Sequence, residues 1–371
     1  MANISASSHG LLEEVLPTAV SSETLQGVSL PLQVFFCLVM VVILLVALLG
    51  NMVVCLMVYQ RSAMRSAINI LLASLAFSDL MLAILNMPFA LVTVLTTTWV
   101  FGELFCRVSA MLFWFFVTEG VAILLIISID RFLIIVQKLD KLSPQRAKMV
   151  IVVTWSFAFV LSFPLALGSP PLHIHPSAPQ CVFGYSTEPG YRAYVLILML
   201  VVFFIPFTVM LYNFMGILNT IRHNATRIHS HPDSICLSQA NKLGLLGLHR
   251  PIPMNIDMSF KTRAFTTILI LFSVFTVCWA PFTAYCLVAT FSNSFYHEVS
   301  FFQVSTWILW LSYLKSALNP LIYYWRIKKF RDACINLMPK YCTFLPHLPG
   351  NTKRRIQPSA VYVCGEHRST V

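Results

Sequence analysis

The stretch PLQVFFCLVMVVILLVALLGNMVVCLMVY, residues 31–59, contains no charged residue from end to end. A helix needs about 20 apolar residues to cross the hydrocarbon core of a bilayer. Six further apolar stretches of sufficient length follow, at about 68–95, 105–130, 148–170, 191–220, 264–291 and 302–325. Hydrophobic residues make up 58% of the 371-residue chain and charged residues 11%, which excludes an ordinary soluble domain. We therefore predict an all-α polytopic membrane protein, a seven-transmembrane helix bundle whose spans are numbered 1 to 7 in chain order.

The basic residues predict how the chain is oriented. If the N-terminus is extracellular, 22 of the 25 Lys and Arg residues fall in cytoplasmic segments, as the positive-inside rule requires. We predict a multi-pass plasma-membrane protein with an extracellular N-terminus (1–30), a seven-helix domain (31–325) and an amphipathic helix with a cytoplasmic tail (326–371). The net charge of +11 then reflects topology. We expect no nucleic-acid partner, because the basic residues are divided among separate loops and the tail.

Short motifs stand at matching places in the spans. Span 3 ends in Asp130-Arg131-Phe132, span 6 contains Cys278-Trp279-Ala280-Pro281, and span 7 contains Asn319-Pro320-Leu321-Ile322-Tyr323. In this order the motifs resemble the rhodopsin-like (class A) G-protein-coupled receptors, from about residue 31 to 335. Segments 64–69 and 325–330 resemble a small pair of vertebrate orphan receptors grouped with lysophospholipid receptors.

The resemblance implies a receptor that passes an extracellular signal to a heterotrimeric G protein, with no enzymatic activity and no cofactor. A transporter is the alternative from topology alone, but the matched broken helices of inverted repeats are not evident in the sequence. A ligand-independent, constitutively active receptor or a scaffold is the other alternative.

The resemblance also assigns switching roles inside the spans. Proline within a helix removes a backbone hydrogen bond and bends the helix, so Pro281 and Pro320 are predicted hinges. Arg131 is expected to pair with Asp130 at rest and to turn toward the G protein on activation. The predicted switch residues are Asp79, Asp130, Arg131, Trp279, Pro281, Lys315, Asn319, Pro320 and Tyr323.

Two departures from the family pattern bear on basal activity. Lys261 stands where an acidic residue of helix 6 often clamps the arginine, and Phe214 replaces a tyrosine that supports the active state. The two changes act in opposite directions. We predict appreciable basal signalling because Lys261 cannot clamp Arg131.

Three ionisable residues, Asp79, Glu119 and Lys315, lie within the predicted hydrocarbon region, where charge is costly and usually functional. In the family, the residue at Asp79 helps to bind sodium together with a serine of helix 3 and an asparagine of helix 7. This chain has Gly120 and Lys315 at those two places. Lys315 is predicted to occupy the sodium position; the alternatives are that it pairs with Glu119 or reaches the membrane edge.

A retinal-binding opsin is not expected. The family's retinal lysine corresponds to Tyr313, and Lys315 lies roughly 200° further round the helix. Lys315 is therefore predicted to point away from the ligand pocket.

By resemblance, the ligand pocket occupies the outer half of the bundle and is lined by Phe113, Trp114, Val117, Trp279, Phe282, Thr283, Leu309 and Tyr313. Phe113 stands where amine receptors carry an aspartate, so an amine ligand is not expected. The apolar lining suits a lipid. Lysophospholipid receptors use charged residues where this chain has Ser109 and Ala110, so Arg107 or Arg192 would have to anchor a phosphate. A peptide ligand, or none, remains the alternative.

The ten cysteines do not form a disulfide framework. Only Cys106 and Cys181 face the oxidising exterior with no competing cysteine, which predicts a disulfide between them.

Asn3-Ile4-Ser5 is a glycosylation acceptor. His173, His175 and His297 are expected to be ordinary loop residues, with a zinc site as the less favoured interpretation, so no metal is predicted.

The segment from Trp325 to Met338 combines basic and apolar residues and is predicted to form an eighth, amphipathic helix on the membrane lipids of the inner leaflet. Cys334 and Cys342 are candidate palmitoylation sites. The chain ends in Ser369, Thr370 and Val371, a terminus of the kind that PDZ domains bind.

Overall fold

Seven long helices and one short helix make up the computed structural model, which describes residues 29–60, 62–168, 179–181, 183–230, 255–294 and 301–337. Every regular element in these ranges is helical. The helices are α1 (Leu30–Gln60), α2 (Ala67–Leu85 and Met87–Thr96), α3 (Gly102–Ile135), α4 (Pro144–Ala166), α5 (Pro189–Met199, the π-turn Leu200–Phe204, and Ile205–Ser230), α6 (Asn255–Phe291), α7 (Phe301–Arg326) and α8 (Lys328–Leu337).

The seven-span prediction is confirmed. Helices α1 to α6 are long and apolar enough to cross a membrane by composition alone. Helix α7 is less apolar because it buries a row of polar side chains, namely Ser305, Thr306, Ser312, Lys315, Ser316 and Asn319. A polar face of this kind must point into the bundle, since lipid cannot satisfy its hydrogen bonds.

Helix α3 is the central helix of the bundle. In the most apolar 18-residue stretch of α3, 72% of the residues are buried. In the corresponding stretches of α1 and α4 only 22% are buried, because their apolar side chains face outward. One end of α3 carries Cys106, which forms a disulfide with Cys181, and the other carries Arg131. We call these the disulfide end and the Arg131 end of the bundle.

Irregular turns interrupt two helices next to proline. The break in α2 falls at Asn86, just before Pro88, and the amide of Asn86 donates to the carbonyl oxygen of Ser109 at 2.8 Å. The π-turn in α5 ends at Phe204, two residues before Pro206. Because such turns shift the register of everything beyond them, they set which faces of α2 and α5 contact α3.

The eighth helix starts later than predicted. Trp325 belongs to α7, and α8 begins at Lys328. The reason is that Ile327 N donates to Tyr323 O at 2.9 Å, which continues the hydrogen bonding of α7 past Arg326. Phe330 of α8 packs on the ring of Tyr323 with centroids 6.1 Å apart, so α8 is held against the end of α7.

Candidate switch and ligand sites in the helical bundle

A buried ion pair joins α2 to α7 in the middle of the bundle. Asp79 is 3% exposed and Lys315 4% exposed, and Lys315 Nζ lies 3.1 Å from Asp79 Oδ1. Ser316 Oγ donates to the same oxygen at 2.7 Å, and Asn319 Nδ2 donates to Oδ2 at 2.6 Å. The carboxylate is thus neutralised by one ammonium and held by two neutral donors, which is what a buried charge requires.

Gly120 of α3 provides the space for this ammonium. A Cβ at Gly120 would lie 3.0 Å from Lys315 Nζ and 3.5 Å from Ser78 Oγ. Any larger residue at 120 would therefore crowd the ammonium. The residues present do not fit a sodium ion in addition, because the protein's own cation already contacts the carboxylate.

Glu119 belongs to a separate network. Its Oε1 accepts from Ser74 Oγ at 3.0 Å, and Trp155 Nε1 donates to the same hydroxyl at 3.0 Å. This network links α2, α3 and α4 on a different face of α3 from the one that meets Lys315. The pairing of Lys315 with Glu119, kept as an alternative from the sequence, does not occur in the structure.

The bend at Pro320 is supported by α1. Proline has no N–H, so the carbonyl of Ser316, four residues earlier, has no helical donor. Asn51 Nδ2 supplies that donor at 3.0 Å. A Cβ at the neighbouring Gly50 would lie 2.5 Å from Pro320 Cγ, so glycine allows α1 and α7 to approach this closely. The Gly50-Asn51 pair and Pro320 therefore act as one structural unit.

The eight predicted pocket residues are all buried, and the aromatic rings of five of them come together between α3, α6 and α7, namely those of Phe113, Trp114, Trp279, Phe282 and Tyr313. The ring of Phe113 lies at the centre, with centroids 5.5 Å from Phe282, 6.0 Å from Tyr313 and 6.3 Å from Trp279. This aromatic cluster is directly continuous with Trp279. Tyr313 points into this cluster while Lys315 points to Asp79, as the angular argument against an opsin required.

The loop before α5 contacts the same cluster, which the sequence did not reveal. Tyr313 Oη donates to Gln180 Oε1 at 3.0 Å, and the ring of Phe183 lies 5.6 Å from that of Trp114. Gln180 and Phe183 flank Cys181, so the disulfide to α3 holds the loop against this aromatic cluster. The only sequence signal was their proximity to that cysteine.

The two candidate phosphate anchors differ in their surroundings. Arg107 forms an ion pair with Glu103, one turn earlier in α3. Arg192 donates from Nε to Ser186 O at 2.6 Å and lies over the ring of Phe291 at 4.9 Å, with no carboxylate partner among the described residues. Among the described residues, Arg107 thus has a carboxylate partner and Arg192 does not.

At the Arg131 end, Arg131 Nη2 lies 3.0 Å from Asp130 Oδ2, the pairing expected of a resting receptor. Ser128 Oγ accepts from Asn213 Nδ2 at 3.2 Å, which ties α3 to α5 one turn away. The side chain of Lys261 lies outside the described residues, as do Asn3, Cys342, the three loop histidines (His173, His175 and His297) and the terminus Ser369, Thr370 and Val371.

Cys334, a predicted palmitoylation site, is buried in the structure. Its Sγ lies 3.9 Å from Met57 Sδ of α1. Burial raises the pKa of the Cys334 thiol to about 11, so the thiol is protonated near neutral pH. Acylation of Cys334 would require α8 to move away from α1.

The family "7 transmembrane receptor (rhodopsin family)" matches residues 50–323. "Probable G-protein coupled receptor 63" of Homo sapiens is 67% identical, the alignment covering 97% of this chain and 88% of that protein. "High-affinity lysophosphatidic acid receptor" of Xenopus laevis is 57% identical and "Probable G-protein coupled receptor 45" of Homo sapiens 55%, each with 92% of both chains covered.

Squid rhodopsin shares the fold, with a TM-score of 0.69 at 19% identity over 84% of this chain and 86% of that chain. The buried carboxylate of α2, the Asp130–Arg131 pair and the prolines inside α6 and α7 lie inside the matched region 50–323. The chain belongs to the rhodopsin family of seven-transmembrane, G-protein-coupled receptors.

Proposed function

We propose that this receptor sits in the plasma membrane with its N-terminus outside and responds to a lipid that carries an anionic head group. The observation that carries the proposal is the buried aromatic cluster around Phe113, together with Arg192, which has no acidic partner among the described residues. Tyr191, next to Arg192, contacts Phe183, which in turn contacts Trp114 of the pocket. An apolar tail and a phosphate would find complementary surfaces within one site.

The name of the relative from Xenopus laevis, which includes lysophosphatidic acid, supports the lipid class. At 57% identity over most of both chains, the two proteins share the same bundle. The orientation rests on the basic residues: 22 of 25 lie in segments that an outside N-terminus makes cytoplasmic. With this orientation, we also propose glycosylation at Asn3 on the outside, and palmitoylation of the tail and PDZ binding at Val371 on the cytoplasmic side.

We further propose that Lys315 acts as a built-in replacement for the family's sodium ion. Its ammonium already holds Asp79 together with the polar residues of α7. The resting state of this receptor therefore does not depend on sodium, and basal signalling is set by contacts within the protein.

A second candidate is a receptor that signals without any ligand. It is favoured by the loop contacts over the pocket, where Gln180 and Phe183 already engage Tyr313 and Trp114. In that case the protein's own loop takes the place that a ligand takes in other receptors.

The test uses cells that express the receptor with sensors for the four Gα families. Addition of 1-oleoyl lysophosphatidic acid should raise one output, and Arg192→Gln should shift its half-maximal concentration upward by about tenfold, the effect of losing a charge-assisted contact worth about 1.4 kcal/mol. Arg107→Gln is the matched control and should respond like wild-type, because Arg107 is already paired with Glu103.

An equal half-maximal concentration in wild-type, Arg192→Gln and Arg107→Gln would show that Arg192 does not anchor the phosphate. An output that is present without lipid and unchanged by it would support the ligand-independent receptor instead.

A further inference from the structure

Gly216 lies in the interior of the α5 segment Ile205–Ser230, where glycine is an unfavourable residue. Relative to alanine it costs about 0.5–1 kcal/mol in a helix, because it loses more backbone freedom. Its place in the structure gives the reason. A Cβ at Gly216 would lie 2.5 Å from Phe132 Cε2 and 3.3 Å from Cδ2, so the missing side chain forms a notch that the Phe132 ring enters.

This notch is the centre of a row of contacts between α3 and α5. One turn toward the disulfide end, Asn213 Nδ2 donates to Ser128 Oγ at 3.2 Å. Toward the Arg131 end, Ile217, the next residue of α5, packs on Ile135, which lies one turn beyond Phe132 in α3. We call the contacts of residues 128, 132 and 135 with residues 213, 216 and 217 the α3–α5 seam.

The seam lies next to the switch arginine. Phe132 directly follows Arg131, so the position of its ring fixes the rotation of α3 at the point where Arg131 pairs with Asp130 at 3.0 Å. Tyr212 also contacts Phe132, with ring centroids 5.7 Å apart, and holds the ring from the preceding turn of α5. A rotation of α3 or a shift of α5 must withdraw the ring from the notch.

We propose that Phe132 seated in the Gly216 notch holds the resting arrangement in this receptor, and that both are positioning residues for G-protein coupling. The proposal rests on the G-protein coupling that the family implies, and it is independent of the lipid ligand. It also accounts for a feature of the sequence. Lys261 cannot provide the acidic clamp from α6, so the restraint on Arg131 comes from α5 through Phe132.

Two single substitutions disturb the seam in opposite ways. Gly216→Ala adds a methyl group where the Phe132 ring lies, and the ring or α5 must move. Phe132→Leu removes part of the ring and leaves the notch partly empty. Each should raise ligand-independent nucleotide exchange by about fivefold at equal surface expression, as a shift of about 1 kcal/mol in the resting equilibrium would.

The double variant Gly216→Ala with Phe132→Leu refills the notch with the added methyl group, and exchange should return close to the wild-type rate. Rescue in the double variant distinguishes a seam from two independent effects, which would multiply. Gly190→Ala is the matched control, since it is the same substitution in the same helix with nothing within 4 Å of the new Cβ, and its exchange rate should equal wild-type.

The experiment measures nucleotide exchange on the four Gα families with the full-length receptor in membranes, normalised to surface receptor number. If Gly216→Ala fails to reach the surface, Phe132→Leu still tests the seam alone. Exchange at or below the wild-type rate in the single variants, or additive changes in the double variant, would overturn the proposal.

Discussion

Replacing Lys315 by methionine removes the ammonium from the buried pair and keeps an unbranched side chain of similar length. Asp79 would retain Ser316 Oγ at 2.7 Å and Asn319 Nδ2 at 2.6 Å, two neutral donors. Removing one partner of a buried ion pair costs roughly 3–5 kcal/mol, because the other charge stays in a low-dielectric site. Since two hydrogen bonds survive, the free energy of unfolding should fall by about 3 kcal/mol, the lower end of that range.

The assay is thermal unfolding of the detergent-solubilised receptor, together with surface expression in cells. Lys315→Met should unfold at a clearly lower temperature and reach the surface in smaller amounts. Lys148→Met is the matched control, because Lys148 is exposed on α4, and it should behave like wild-type. Equal thermal stability of Lys315→Met and wild-type would refute the view that the ion pair holds α2 to α7.

The same site offers a compensating pair. Gly120→Ser alone places a Cβ 3.0 Å from Lys315 Nζ, closer than ordinary van der Waals contact, so this variant should be destabilised. Gly120→Ser together with Lys315→Asn restores the serine of helix 3 and the asparagine of helix 7 that the family uses to bind sodium. Sodium chloride should then raise the unfolding temperature of the double variant more than potassium chloride does. Equal unfolding temperatures in the two salts would contradict the view that Lys315 occupies the sodium position.

Three further predictions concern other parts of the molecule. Lys261→Glu introduces the acidic clamp that α6 lacks and should lower ligand-independent second-messenger output; equal output at matched surface expression would count against a missing clamp. Cys106→Ser and Cys181→Ser each break the disulfide at Cys106–Cys181 and should leave the receptor inside the cell, a prediction that normal surface staining and signalling would disprove. Cys342→Ala should remove most acyl label and Cys334→Ala little, since the Cys334 thiol is buried with its pKa raised to about 11; the reverse pattern in an acyl-exchange assay would show that α8 leaves α1.

Features set by composition and chain order were predictable from the sequence. Seven apolar stretches and the distribution of basic residues were enough for the spans and the proposed orientation. The sequence predicted Lys315 at the sodium position beside Asp79 and left two alternatives, an ion pair with Glu119 and a position at the membrane edge. Choosing between them required the rotation of α3, which brings Gly120 to Lys315 and turns Glu119 to Ser74.

Contacts that depend on how two helices face each other were not predictable. In the sequence, Gly216 is only a glycine within an apolar helix. Its contact with Phe132 depends on the helical register that the π-turn Leu200–Phe204 gives to α5. The contact of Gln180 with Tyr313 depends on the path of a loop, which hydropathy does not encode. The late start of α8 follows from one backbone hydrogen bond at Ile327.

We propose that Lys315 gives this G-protein-coupled receptor its own cation at the position where the family binds sodium. The most direct measurement is nucleotide exchange on the four Gα families by the purified receptor in lipid nanodiscs, without ligand, in sodium chloride and in potassium chloride at equal ionic strength. We predict exchange above receptor-free discs for at least one Gα family, with the same rate in both salts. A rate that falls specifically in sodium chloride would show that sodium binds despite Lys315 and would contradict the claim.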